Sequence, residues 1–235
     1  MKIKLLFLSL ILICASSCSY IYIPNAPNVP LISTKGEVQA SVLTGTSRLD
    51  LQSAYGLTDK IALMANGSFS NHIRAVDSSS IHKHNMGELA CGYYTKVGRS
   101  GRLEVYGGFG YGETYNYDMG SYSYYGNLDG KYGKIFVQPN IGATSDIFDG
   151  AMSLRVCYVN YFDFNYFSSA YKAQKSLFVE PVLTGKIGYK NVKLITQIGF
   201  SLPVLQSDIV FFDPFILNIG INIKLNTIKS KPIVK

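Results

Sequence analysis

The sequence predicts an all-β fold, an antiparallel up-and-down transmembrane β-barrel of ten strands, with eight as the alternative. Three observations predict it. Apolar and polar residues alternate with a period of two through about ten segments between residues 36 and 226. Short connections alternate with long ones. Tyr and Phe, 18 and 13 in number, gather near segment ends, where the interfacial girdles of a membrane barrel sit. Composition excludes other classes. Hydrophobic residues make up 47% of the 235, which rules out wholesale disorder. The longest apolar run, 5–13, is too short for a membrane helix, which needs about 20 residues.

Residues 1–17 read as an export signal. Lys2 and Lys4 form the basic start, Leu5 to Ile13 the apolar run, and Cys14-Ala15-Ser16-Ser17-Cys18 the processing region. Small residues before Cys18 make a lipobox, although Ala15 stands where Leu is usual. Ordinary signal peptidase cleavage at the small-x-small pattern is the competing chemistry. Acylation of Cys18, with chains such as palmitate, would anchor the processed chain. Residues 18–35 read as an extended tether, because Pro24, Pro27 and Pro30 prevent a helix. A disordered linker and a segment packed against the barrel opening are the alternatives.

The barrel occupies 36–226. Val38, Ala40 and Val42 alternate with Glu37, Gln39 and Ser41, and the next segment sets Leu49 and Leu51 against Arg48, Asp50 and Gln52. Ile61 to Phe69, Leu89 to Thr95 and Leu103 to Tyr111 continue the pattern against Asn66, Glu88, Arg102 and Glu104. Further on, Ile135 to Ile141, Met152 to Tyr158, Leu177 to Ile187 and Val192 to Phe200 alternate with Lys134, Arg155, Glu180, Lys186 and Lys193. The last segment is the clearest, with Phe215, Leu217, Ile219, Ile221, Ile223 and Leu225 on one face. Residues 227–235 form a basic tail.

Connections near 57–59, 98–101, 145–150 and 189–191 are short. Those near 71–85, 113–131, 161–174 and 203–212 are long, and only the first hairpin, at Gly45-Thr46-Ser47, breaks the rule. Short turns inside and long loops outside are the habit of outer-membrane barrels. An even strand count places both termini, and the lipid, on the periplasmic side. Loop-end aromatics are Phe69, Phe109, Tyr111, Tyr132, Tyr158, Tyr161, Phe178, Phe200, Phe212 and Phe215; turn-end ones are Tyr55, Tyr93 and Tyr189.

The charges Glu37, Arg48, Asp50, Glu88, Arg102, Glu104, Lys134, Arg155, Glu180, Lys186 and Lys193 carry both signs and fit a lumen, where they would pair as a plug rather than line a pore. A soluble barrel would turn its apolar face inward instead. His72, His82 and His84 are weak candidates for a metal site or a rim enzyme, since they lack ligand spacing on a rigid element. No phosphate-cradling glycine loop, catalytic carboxylate pair or zinc cysteine pair occurs, so no enzyme and no cofactor are expected. Cys91 and Cys157 fall on opposite faces by parity and are expected to stay unpaired. The stretch 111–132 holds Tyr115, Tyr117, Tyr122, Tyr124 and Tyr125 among Gly, Ser and Asn, a composition suited to contact surfaces. The pI near 9.1 suits anionic lipid headgroups and not nucleic acid.

The lipobox-like start, the run Tyr22-Ile-Pro-Asn-Ala-Pro-Asn-Val-Pro-Leu, Lys35-Gly-Glu and the closing Phe215-Ile-Leu-Asn-Ile-Gly-Ile-Asn-Ile together resemble small outer-membrane β-barrel lipoproteins of the Bacteroidota. The resemblance covers nearly the whole chain, and it implies fold and location but no catalytic residues. Surface-exported lipoproteins of that phylum carry acidic residues after the Cys; here Ser19, Tyr20 and Ile21 follow, which implies a lipid facing the periplasm. The expected role is structural or accessory in the envelope, through membrane lipid, an envelope protein complex and the long loops. A narrow pore is the runner-up and a rim enzyme the lower alternative. Oligomeric state and partner identity are not legible.

Overall fold

The computed structural model describes residues 20–73, 80–118, 126–166, 169–205, 210 and 212–226. Its strands are β1 (Glu37–Gly45), β2 (Arg48–Gly56), β3 (Ile61–Ile73), β4 (Ser80–Val97), β5 (Gly101–Asp118) and β6 (Gly126–Ala143). They continue as β7 (Phe148–Tyr166), β8 (Ser169–Ala170), β9 (Gln174–Tyr189), β10 (Val192–Phe200), β11 (Leu202–Leu205) and β12 (Phe215–Asn226). All pair antiparallel. Ten of them close a ring: β1 pairs β12, β12 pairs β10, β10 pairs β9, and β9 pairs β7, so no long edge stays open. The short β8 folds back on the end of β7, and β11 continues the β10 side of β9 past Ser201.

Side-chain parity sorts the wall. Val42, Leu51, Leu89, Ile135, Leu183, Ile198 and Ile221 are exposed on the outside, while Gln52, Asn66, Glu88, Gln138, Arg155 and Gln197 are buried inside. This inverts a soluble core: the apolar band lies outward and the polar residues face a lumen.

The barrel is uneven in height. β1, β2 and β10 have 9 residues, whereas β4, β5, β6 and β7 have 18 or 19. Much of what reads as long loop is therefore strand. Residues 113–118 pair with 126–131 as a raised hairpin, so the connection spans 119–125. Tyr115 and Tyr117 lie on β5, while Tyr122, Tyr124 and Tyr125 fall outside the described residues, as do Cys18 and the tail 227–235.

Segment 20–35 holds the largest departure from expectation. It is extended, as its prolines require, but it runs up the inside of the barrel. Ile21, Tyr22, Ile23, Ala26, Val29, Leu31 and Ile32 are all buried. The wall makes room with small inward residues. At Gly56 an added Cβ would sit 3.1 Å from the Ile32 side chain, and at Gly142 it would sit 3.0 Å from the Leu31 side chain. The segment joins the wall through a reversal at Gly36, whose φ of 76° suits glycine. The Gly36 amide donates to Gly56 O at 2.7 Å. Leu31 also takes a positive φ of 57°, a conformation that costs about 1–3 kcal/mol and is held here by burial.

The lumen as candidate functional site

Four charged side chains form the middle of the lumen. Glu88 on β4 lies 2.8 Å from Lys134 Nζ on β6 and 3.6 Å from Arg155 Nη1 on β7. Arg155 Nε donates to Glu180 Oε2 on β9 at 2.6 Å. Two carboxylates and two cations thus balance in a site closed to water, where an unpaired charge would cost several kcal/mol. Asn25 of the inner segment sits at their centre. Its amide donates to Glu88 at 3.0 Å, its side-chain oxygen accepts from Lys134 at 2.7 Å, and its carbonyl accepts from Arg155 Nη2 at 2.7 Å.

Toward the turn end a second polar group grips residues 26–33. The carbonyls of Ala26, Pro27 and Asn28 accept from Gln52, Gln197 and Gln138 at 2.8, 2.7 and 2.8 Å. Extended backbone has no internal ladder, and prolines remove donors, so these glutamines satisfy acceptors that burial would otherwise orphan. The Asn28 amide donates to Asn66 at 2.8 Å. Ile32 N donates to Glu104 at 2.6 Å, and Lys224 pairs with Glu37 at 3.0 Å. Lys186 Nζ reaches Pro30 O at 3.4 Å, and Lys193 pairs with Asp149 at 2.7 Å.

Toward the loop end the lumen is aromatic. Tyr22 stacks on Phe178 at 4.5 Å, and Phe212 packs on Phe178 at 5.3 Å. Tyr132 and Tyr161 lie 4.9 Å apart, and the Tyr161 hydroxyl donates to Ile21 O at 3.1 Å. The Tyr22 hydroxyl donates to Glu180 at 3.0 Å. Beyond the strands, Asp213 N donates to Tyr22 O at 3.0 Å, and burial holds the Asp213 carboxyl above the ordinary carboxylate range.

Most expected lumen charges stand where parity puts them: Glu37, Asp50, Glu88, Arg102, Glu104, Lys134, Arg155, Glu180, Lys186 and Lys193 are buried. Arg48 is a correction. It is exposed, because the first hairpin gives it a φ of 76° and turns it out of the inward row. Tyr132, Tyr161 and Phe178 are corrections to the loop-end girdle. They share parity with Lys134, Arg155 and Glu180, and they point inward. Phe69, Phe109, Tyr111, Phe200 and Phe215 do face outward at that end, as do Tyr55, Tyr93 and Tyr189 at the other.

His72 pairs with His82 across β3 and β4, and His84 is buried with its Nε2 2.7 Å from the Tyr132 hydroxyl. No group of three metal-ligating side chains occurs among the described residues. Cys91 faces outward and Cys157 lies inside against Tyr22, both as free thiols. Sequence reasoning missed Asn25, Asn28 and the three glutamines, since neutral amides draw no attention without knowledge of what fills the lumen.

Together these features define a class: a closed ten-stranded β-barrel, apolar outside and polar inside, filled along its length by its own N-terminal segment. No protein-family model and no curated protein matches the chain, so the assignment rests on this geometry.

Proposed function

We propose that the chain is an outer-membrane β-barrel closed by its own N-terminal segment, with a structural or accessory binding role in the bacterial envelope. The observation that carries this reading is the filled lumen. Residues 20–33 are held from the turn end to the loop end by wall side chains, and the central carboxylates Glu88 and Glu180 each meet a cation of the wall. Such an interior favours a plugged barrel over the narrow-pore alternative, which needs a continuous polar path. The outward belt, with aromatics at both ends, supports a bilayer as the surrounding medium. The export signal, with Cys18 as its acylation site, supports the outer membrane.

With the interior closed, contacts fall to the raised wall. β4 to β7 stand about seven residues taller than the roughly 9–11 that a bilayer requires. Above Phe109 the outward face turns mixed, with Lys83, Asn85, Glu113, Tyr115, Lys131 and Asp163. A face that sets Tyr115 and Asn85 among charges of both signs offers polar contacts to a partner. The test is a photocrosslinking residue at Tyr115 in intact cells, with Ile219 as the lipid-facing control. A discrete crosslinked protein from Tyr115 alone, lost when the neighbouring outward side chains Lys83, Asn85 and Lys131 are replaced by Ala, supports the reading. Equal or absent crosslinking from both positions contradicts it.

A further inference from the structure

The order of contacts along the lumen fixes the direction of the inner segment. At the turn end Ser33 meets Arg102 at 3.1 Å and Ile32 meets Glu104 at 2.6 Å. Asn28 meets Gln138, Asn25 meets Glu88 and Arg155, Tyr22 meets Glu180, and Ile21 meets Tyr161. Finally Asn116, near the far end of β5, donates to Tyr20 O at 2.6 Å. From Glu104 to Asn116 is twelve residues of one strand. At about 3.3 Å per residue and a tilt of 35–45° this rise is roughly 30 Å along the barrel axis, the thickness of a hydrocarbon core. The inner segment spends its own twelve residues, 32 back to 20, on the same climb, which an extended chain of up to about 40 Å covers with slack.

Tyr20 therefore sits at the end opposite Gly36, Asn226 and the short turns. β12 ends at the turn end, whereas the described start of the chain lies at the opposite end. Cys18 is two residues upstream of Tyr20, within about 7 Å of chain. We propose that the N-terminal segment is threaded through the barrel, so that the processed N-terminus, with any acyl chains on Cys18, is displayed on the long-strand side. This rests on the outer-membrane reading for the statement that the long-strand side is the cell surface. The lipid would then enter the outer leaflet beside the barrel.

Threading also orders assembly. The lumen is packed with Tyr22, Tyr132, Phe178 and the Arg155 cluster, so a diacylated cysteine cannot be drawn through a finished barrel. The closing seam is the pairing of β1 with β12, and β1 follows the inner segment directly. The wall must therefore close around a segment already laid in place.

The experiment places a short epitope between Ser19 and Tyr20 in the full-length chain. Companion epitopes go into the turn at 58–59 and the connection at 121–123. Antibody binding is compared on intact and permeabilised cells. Threading predicts that the 19/20 epitope behaves like the 121–123 epitope, both read on intact cells, while 58–59 is read only after permeabilisation. If the 19/20 epitope instead follows 58–59, threading is wrong. If 121–123 and 19/20 are hidden together while 58–59 is exposed, threading stands and the orientation reading falls. Should the insertion block folding, Tyr22→p-azidophenylalanine gives an independent readout. It should crosslink within the chain to peptides of β6, β7 or β9, and crosslinks only to other proteins would overturn the proposal.

Discussion

Replacing Glu88 by Gln should destabilise the barrel more than any other single polar change in the lumen. Glu88 is the one side chain that touches both cations and both asparagines of the central cluster: Lys134 at 2.8 Å, Arg155 at 3.6 Å, Asn25 at 3.0 Å and Asn66 at 2.9 Å. Its side chain is 1% exposed, so water cannot take over its role. Glu88→Gln leaves Lys134 and Arg155 facing Glu180 alone. Removing one partner of a buried pair costs about 3–5 kcal/mol. For a chain of this size each kcal/mol moves the melting temperature by about 2–4 °C, so the expected drop is roughly 6–20 °C. The assay is thermal unfolding of the purified barrel in detergent, followed by circular dichroism and by gel mobility of unheated samples. Adding Lys134→Met restores neutrality, with Arg155 still paired to Glu180, and should recover at least half of the loss. A Glu88→Gln barrel melting within about 2 °C of the parent, or a double variant losing the full sum, would refute the paired-cluster account.

Other consequences follow from the same geometry. Gln52, Gln138 and Gln197 each satisfy a carbonyl of the inner segment. Each change to Ala should cost about 1–3 kcal/mol, and the triple variant should raise hydrogen exchange at residues 25–29 without altering the β1–β12 seam. Gly112→Ala meets the Tyr132 ring and should destabilise by about 1–3 kcal/mol, whereas Gly133→Ala, open on the outer face, should be near neutral by the same melting assay. Ile219→Arg in the outer belt should lower folding efficiency into lipid vesicles by an amount equivalent to about 2–4 kcal/mol, while Tyr115→Arg above the belt should leave it unchanged.

The wall was legible because period-two alternation over many strands is redundant: an outward Leu89 and a lumen-facing Glu88 each constrain the other's register. Three kinds of information were not. The tall ends of β4 to β7 lose the apolar outer face once they rise above the belt, so Asn85, Glu113 and Lys131 look like loop although they are strand. Aromatic side chains were sorted by position along the strand, when parity with Lys134 and Glu180 would have turned Tyr132 and Phe178 inward. A register shift between Lys131 and Tyr132 further breaks the pattern at the top of β6 and β7. The path of residues 20–35 is the third. Prolines specify an extended chain but not its surroundings. The available signals were the apolar character of Ile21, Tyr22, Ile23, Leu31 and Ile32, too great for a solvated tether, and the small inward residues Ala54, Gly56, Ala62 and Ala90, which leave volume that something must fill.

The central claim is that the chain's own residues 20–33 close the lumen, and planar bilayer recording tests it most directly. The intact barrel should be silent at voltages where open barrels conduct, and a variant lacking 20–32, refolded to the same β content, should carry a steady ohmic current through the vacated lumen. Steady conductance by the intact barrel, unchanged when 20–32 is removed, would contradict the account.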